Sequence, residues 1–258
     1  MVSAGLGAVT GVVGGLAGIG GSIIMLPLLA YAFQFDDPER SAQHVYQAAA
    51  MTVNVLVAIP ATRRHQIAKA VRWDLVRGLL PWMLVAMVVG VLVSNRLNGI
   101  ALQKIVAAAV AWDCAINIYR IFRGVDESVM KPERTSAPFL AFAGAITGFI
   151  GGVAGLGGGI LTVPLLQLGA RVPLKQAIAT SAAVMCFSSV VGAALKLSTL
   201  HTAGRSVLDA LTLAAFLAPG AIFGAMLGAH LTHKLPVNTL RIVVSIVLLL
   251  AAAKLALG

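Results

Sequence analysis

Two short glycine tracts hold the residues best suited to chemistry. They are Gly18-Ile19-Gly20-Gly21-Ser22 and Gly155-Leu156-Gly157-Gly158-Gly159. Each lies near the middle of a long stretch without Asp, Glu, Lys, Arg or His, and each is followed by a proline, Pro27 or Pro164. Glycine costs a helix ~1 kcal/mol per position relative to alanine, so such a cluster predicts a break. The second half of a broken helix presents backbone N–H groups and the positive end of a dipole, which together attract anions. Ser22, Thr180 and Ser181 could add hydroxyl donors, and Asn54 an amide. The expected substrate-binding set is Gly18, Gly20, Gly21, Ser22, Asn54, Gly155, Gly157, Gly158, Gly159, Thr180 and Ser181. Ser and Thr also bond the backbone of their own helix, so both readings stay open for the hydroxyls.

Asp113 is the acid well inside an apolar run, Val106 to Ile118. Carboxylates at membrane depth are costly and mark proton relays, so Asp113 is the proton-coupling candidate. The other reading puts it near the interface, because Arg120 follows seven residues on. Lys196 ends its helix, aligns with Arg64 and reads as a snorkelling interface anchor. His230 and His233 flank a helix end and read as interfacial, and Trp73, Trp82 and Trp112 suit aromatic belts. No His-Glu-x-x-His, phosphate loop or metal-ligand cluster occurs, and the glycine spacing fails the dinucleotide fingerprint. The expectation is therefore no catalytic residue, no metal and no cofactor. Cys114 and Cys186 lie in apolar segments and say nothing of redox compartment.

The elements that must position these groups follow from composition. Of 258 residues, 59% are apolar and 11% charged, and mean hydropathy is +0.94. A soluble domain is nearer ~45–50% apolar and ~25% charged. The values exclude a soluble enzyme, a nucleic-acid-binding domain and a disordered chain. They define an all-α polytopic membrane protein in contact with the lipid bilayer. The net charge of +10 suggests cytoplasmic loops under the positive-inside rule rather than a nucleic-acid partner. The start, Met1 to Gly5, lacks the basic residues of a secretory signal and reads as part of the first membrane segment; no lipidation motif is seen. Charge-free stretches at 1–35 and 135–170 are too long for one upright crossing and too short for two. Ordinary helices are expected at 44–61, 75–95, 100–121, 174–196, 208–232 and 237–257.

The chain is an internal repeat. AVTGVVGGLAGIGGSIIMLPLL from Ala8 to Leu29 matches AITGFIGGVAGLGGGILTVPLL from Ala145 to Leu166 at an offset of 137. Further on, Pro81 matches Pro219 and Gly90 matches Gly228 at an offset of 138. The expected organisation is a first membrane repeat over 1–121, a polar cytoplasmic linker over 122–137 and a second membrane repeat over 138–258. Each half has four segments and opens with a Gly-interrupted segment that reads as a re-entrant hairpin. Paired, interrupted helices point to a secondary transporter whose site lies at the repeat interface. The spacing of Gly11/Gly15, Gly14/Gly18, Gly148/Gly152 and Gly151/Gly155 equally suits close helix packing. The basic loop 63–77 is placed in the cytoplasm. An inverted repeat puts 13 of the 19 basic residues inside and a parallel one 12, so charge does not choose. The length of the two stretches and their central glycines favour inversion.

The paired GxGG tracts ending in Pro-Leu-Leu, the Ala179-Thr180-Ser181 element and the two four-segment halves resemble the TauE/SafE sulfite-exporter family of permeases. The resemblance covers nearly the whole chain. It implies a carrier for small sulfur-containing anions such as sulfite or organosulfonates. The expected carrier works by alternating access in a bacterial cytoplasmic (inner) membrane, with Asp113 as the candidate for proton coupling. An anion channel or an accessory membrane subunit is the alternative, and an intramembrane enzyme is a more distant one. A small anionic substrate and a homo-oligomer are the expected partners. The first half departs from the pattern: Ser22 stands opposite Gly159, and Ala48-Ala49 opposite Thr180-Ser181. Gln47, Thr52 and Asn54 are the nearest polar groups there, so the site is expected to be asymmetric.

Overall fold

A computed structural model describes residues 2–32, 42–122 and 135–257, and every element in them is helical. The first half holds α1 (Val2–Ala17), α2 (Ser22–Ala32), α3 (Ala42–Ile67), α4 (Trp73–Ser94) and α5 (Gly99–Phe122). The second holds α6 (Ala137–Ala154), α7 (Gly159–Leu168), α8 (Leu174–Thr199), α9 (Val207–Lys234) and α10 (Val237–Leu257), with one 3-10 turn at Leu200–Ala203. Six helices, α3, α4, α5, α6, α8 and α9, are long and apolar enough to cross a membrane. Most of the expected linker, 123–134, lies outside the described residues.

Each long charge-free stretch is two helices, broken where the glycines predict. Gly18 and Gly20 take φ of +66° and +71°, and Gly155, Gly157 and Gly158 take +73°, +70° and +89°. Left-handed backbone of this kind is costly for residues with a Cβ, which explains why glycine stands there. The chain then doubles back. A Cβ on Gly14 would lie 2.5 Å from the Gly21 nitrogen, and one on Gly21 only 3.0 Å from the Thr10 carbonyl oxygen. The second break repeats this, with Gly151 against Gly158 at 2.4 Å.

The two halves interlock rather than pack separately. Helix α1 lies on α9 and α6 lies on α4, α3 crosses α8, and α5 meets α10. Small residues set the first two contacts. A Cβ on Gly11 would fall 2.2 Å from the Ala221 carbonyl oxygen, and one on Gly148 2.2 Å from that of Met83. The outer glycines therefore serve helix packing, the close approach that small residues permit in membranes. Directions follow from the contacts. Gly7 meets Leu217 and Gly15 meets Ala225, so α1 and α9 run parallel; Gly144 meets Leu79 and Gly152 meets Met87, so α6 and α4 do too. His44 reaches Lys196 and Thr62 reaches Cys186, so α3 and α8 run antiparallel.

Gly11→Val and Gly148→Val should each lower the yield of monodisperse protein from membranes severalfold, because a side chain there meets backbone that cannot yield. Gly5→Val, where nothing lies within 4 Å, should be recovered like wild type. Size-exclusion profiles of the three variants make the comparison.

Candidate functional site

The two breaks meet at the crossing of α3 and α8. A broken helix releases carbonyl oxygens that lipid cannot satisfy, and side chains of the crossing helices take them up. Ser181 donates to the Gly18 oxygen at 2.7 Å and lies 3.3 Å from that of Gly159. Ser188 donates to Gly157 at 2.6 Å, Gln47 to Val153 at 3.1 Å and Asn54 to Leu156 at 3.4 Å. On the first break, Thr232 of α9 donates to Leu16 at 3.1 Å.

Asn54 is the hub. Its amide nitrogen also bonds Ser22 Oγ. A Cβ on Gly20 would lie 2.7 Å from Asn54 Oδ1, and one on Gly157 3.2 Å from Asn54 Nδ2 and 2.5 Å from Ser189 Oγ. Asn54 thus stands between both glycine turns. Asn54 Oδ1 and Ser189 Oγ are buried without a hydrogen-bond partner. Such a group costs ~1–3 kcal/mol, and both lie against the glycine turns. Within the expected set, the structure gathers Gly20, Ser22, Asn54, Gly157, Gly159 and Ser181. Gly159 touches the other break directly, 2.7 Å from Ile19 Cα by its added Cβ. Gly18 and Gly155 form the outer elbows, facing Ile178 and Gln47. Gly21 and Gly158 turn back toward Thr10 and Thr147 of their own preceding helices. Thr180 stands apart, accepting a hydrogen bond from the Arg72 backbone N–H at 3.2 Å; it pins the α3–α4 turn.

Ser188, Ser189, Met185 and Gln47 belong to this centre, and the expected set lacks them. The signal was present in α8: Ser181, Met185, Ser188 and Ser189 recur at helical spacing on one face. Asp113 is 2% exposed and accepts from Asn117 Nδ2 at 3.2 Å. It lines a cavity with Asn117, Arg241, Ala17, Ile19 and Ile178, on the α5–α10 side of the breaks. Lys196 is not a snorkelling anchor: it is 1% exposed and hydrogen-bonded inside the bundle. His233 Nε2 lies 2.8 Å from Nδ1 of buried His65. His230 is exposed.

With six helices among the described residues long and apolar enough to cross a membrane, and two broken segments facing each other across its centre, the chain is a multi-pass membrane protein. The chain belongs to the sulfite exporter TauE/SafE family, whose sequence profile matches residues 3–255. It is similar to the "Probable membrane transporter protein YunE" of Bacillus subtilis, 29% identical with 97% of this chain and 94% of that protein covered. A probable membrane transporter of Methanocaldococcus jannaschii is 27% identical over 94% of this chain and 90% of its own length. The probable membrane transporter MamO of Magnetospirillum gryphiswaldense is 27% identical over 90% of this chain, which spans about 40% of MamO's length. No solved structure matches.

Ser189→Ala removes a hydroxyl that has no partner, so thermal stability should hold or rise slightly. If the hydroxyl serves a ligand, the half-saturation concentration for transport should rise about tenfold, the weight of one good hydrogen bond. Melting of the detergent-solubilised variant, read beside its flux, checks both halves of this statement.

Proposed function

We propose that the protein is a secondary transporter of small sulfur-containing anions, such as sulfite or organosulfonates, working by alternating access. The observation that carries this reading is the unpartnered hydroxyl of Ser189, beside the amide of Asn54 and between the two left-handed turns. Carbonyl oxygens at both breaks are already engaged by side-chain donors, which disfavours a cation. An anion needs donors. Ser189 O–H and the N-terminal N–H groups of α2 and α7 supply them. The whole expected set acts in this scheme, with Gly18, Gly21, Gly155 and Gly158 shaping the turns and Thr180 holding a neighbouring loop. Asp113 is the proposed proton carrier, since it is buried and lines one cavity with Ile19 of the first turn.

Alternating access follows from an inverted repeat with halves 1–121 and 138–258, for which the antiparallel crossing of α3 and α8 is the support. Each half's broken pair would be re-entrant and would rock against the other half's fourth helix. Arg63, Arg64, Lys69, Arg171, Lys175 and Lys234 then share one face, which would be cytoplasmic, in keeping with a bacterial inner membrane. The closed packing at the centre favours a carrier over a channel, whose pore would be open to water.

Purified protein in liposomes should show saturable, gradient-driven flux of sulfite or a small sulfonate, with sulfate and chloride moved more slowly. Flux of cations or neutral solutes alone would refute the substrate. Asp113→Asn should abolish stimulation by a pH gradient while leaving anion binding intact; undiminished stimulation removes Asp113 from the mechanism. For topology, Ala68→Cys and His201→Cys in a Cys114→Ser, Cys186→Ser background should label from opposite faces. Labelling from one face would mean parallel halves.

A further inference from the structure

A buried lysine lies along the same face of α8 as the central serines. Ser181, Met185, Ser188, Gly192 and Lys196 form one stripe. Lys196 is eight residues beyond Ser188, or ~12 Å along the helix. Its ammonium donates to three neutral acceptors: Ser94 Oγ at 2.8 Å, Asn95 Oδ1 at 3.0 Å and His44 Nδ1 at 3.0 Å. No carboxylate among the described residues pairs with it. A positive charge that is sealed from water and met only by neutral dipoles is costly. An anion beside it would remove that cost.

The surroundings connect this cation to the centre. Ser94 O–H continues to Gln47 Oε1 at 3.1 Å, and the Gln47 amide donates to Val153, just before the second break. His44 Nε2 lies 3.2 Å from the Leu97 oxygen, so with its proton there Nδ1 is left as an acceptor. Between Lys196 and the central site only Gly192 intervenes on the stripe, and the thioethers of Met51 and Met87 lie over it, 3.2 and 3.4 Å from an added Cβ. Methionine side chains are unbranched and readily change rotamer, so this cover can open without backbone movement.

We propose that Lys196, with Ser94, His44 and Asn95, forms a second anion station, a charge-bearing one, between the Asn54–Ser189 centre and the end of the bundle opposite the basic loops. It rests on the anion-transport reading above. The ligand class is a small oxyanion: its oxygens replace one neutral acceptor of the ammonium, and the Asn95 amide can turn to offer N–H. The stripe, the lack of a carboxylate partner among the described residues and the methionine cover each support it. The other end of the crossing is also basic: His65 meets His233 there, and Lys175 Nζ lies 3.1 Å from the His233 oxygen.

The test uses the full-length protein with sulfite and chloride as probes, measuring thermal shift in detergent and flux in liposomes. Wild type should be stabilised by sulfite. Lys196→Gln should melt no lower than wild type without anion, because a buried charge is gone. Its half-saturation concentration for sulfite should rise at least tenfold, and Lys196→Arg should restore part of the affinity. Lys104→Gln, an exposed cation on α5, should change neither readout. If Lys196→Gln is not recovered, Ser94→Ala should show a smaller rise of the same kind. Unchanged half-saturation in Lys196→Gln overturns the station while leaving the transport reading intact; a wild type that binds no anion overturns both. Asp36, Asp37 and Glu39 precede α3, so their combined neutralisation is the remaining control. If it reproduces the Lys196→Gln defect, the counter-charge is the chain's own and the station is refuted.

Discussion

Everything in this fold answers to one constraint: a backbone broken at membrane depth must find its hydrogen bonds within the protein. Each unsatisfied group costs several kcal/mol where no water reaches. The two glycine breaks release carbonyl oxygens, and Ser181, Ser188, Asn54, Gln47 and Thr232 accept the task of bonding them. Those side chains sit on α3, α8 and α9, so these helices must lie against the breaks. The centre of the bundle is polar because its backbone is irregular.

Close packing follows from the same demand. For α3 and α8 to reach the turns, α1 must approach α9 and α6 must approach α4 at backbone distance. Only glycine allows that approach at positions such as Gly11 and Gly148. The interlock also ties the halves to each other: the first helix of each rests on the fourth helix of the other. A shift of one broken pair would therefore press on the other half.

The two halves share a frame but not a chemistry. At an offset of 132, Asn54 stands where the second half has Cys186, and Ala49 where it has Ser181. The amide of Asn54 bridges both breaks from one side, while serines serve them from the other. The matched positions of α3 and α8 thus place different polar groups around one centre.

How much of this was legible in the sequence depends on range. Local physics wrote the breaks: glycines in an apolar run cannot hold a helix, and all of α1 to α10 lie where hydropathy and glycine position predict. The 3.6-residue period also held Ser181, Ser188 and Lys196 on one face, although nothing local said which way that face points. Thr180 resembled its neighbour Ser181 in sequence, yet one residue is ~100° of helix rotation, which turned it to the Arg72 loop. Lys196 read as an anchor because its helix ends three residues later; the C-terminal ends of α4 and α8 come together over it and bury it. The sequence by itself determined the membrane class, the repeat and the two breaks, because these depend on composition and local backbone freedom. Only the tertiary structure decided which polar groups meet between the breaks, because α3 and α8 touch through contacts more than a hundred residues apart in the chain.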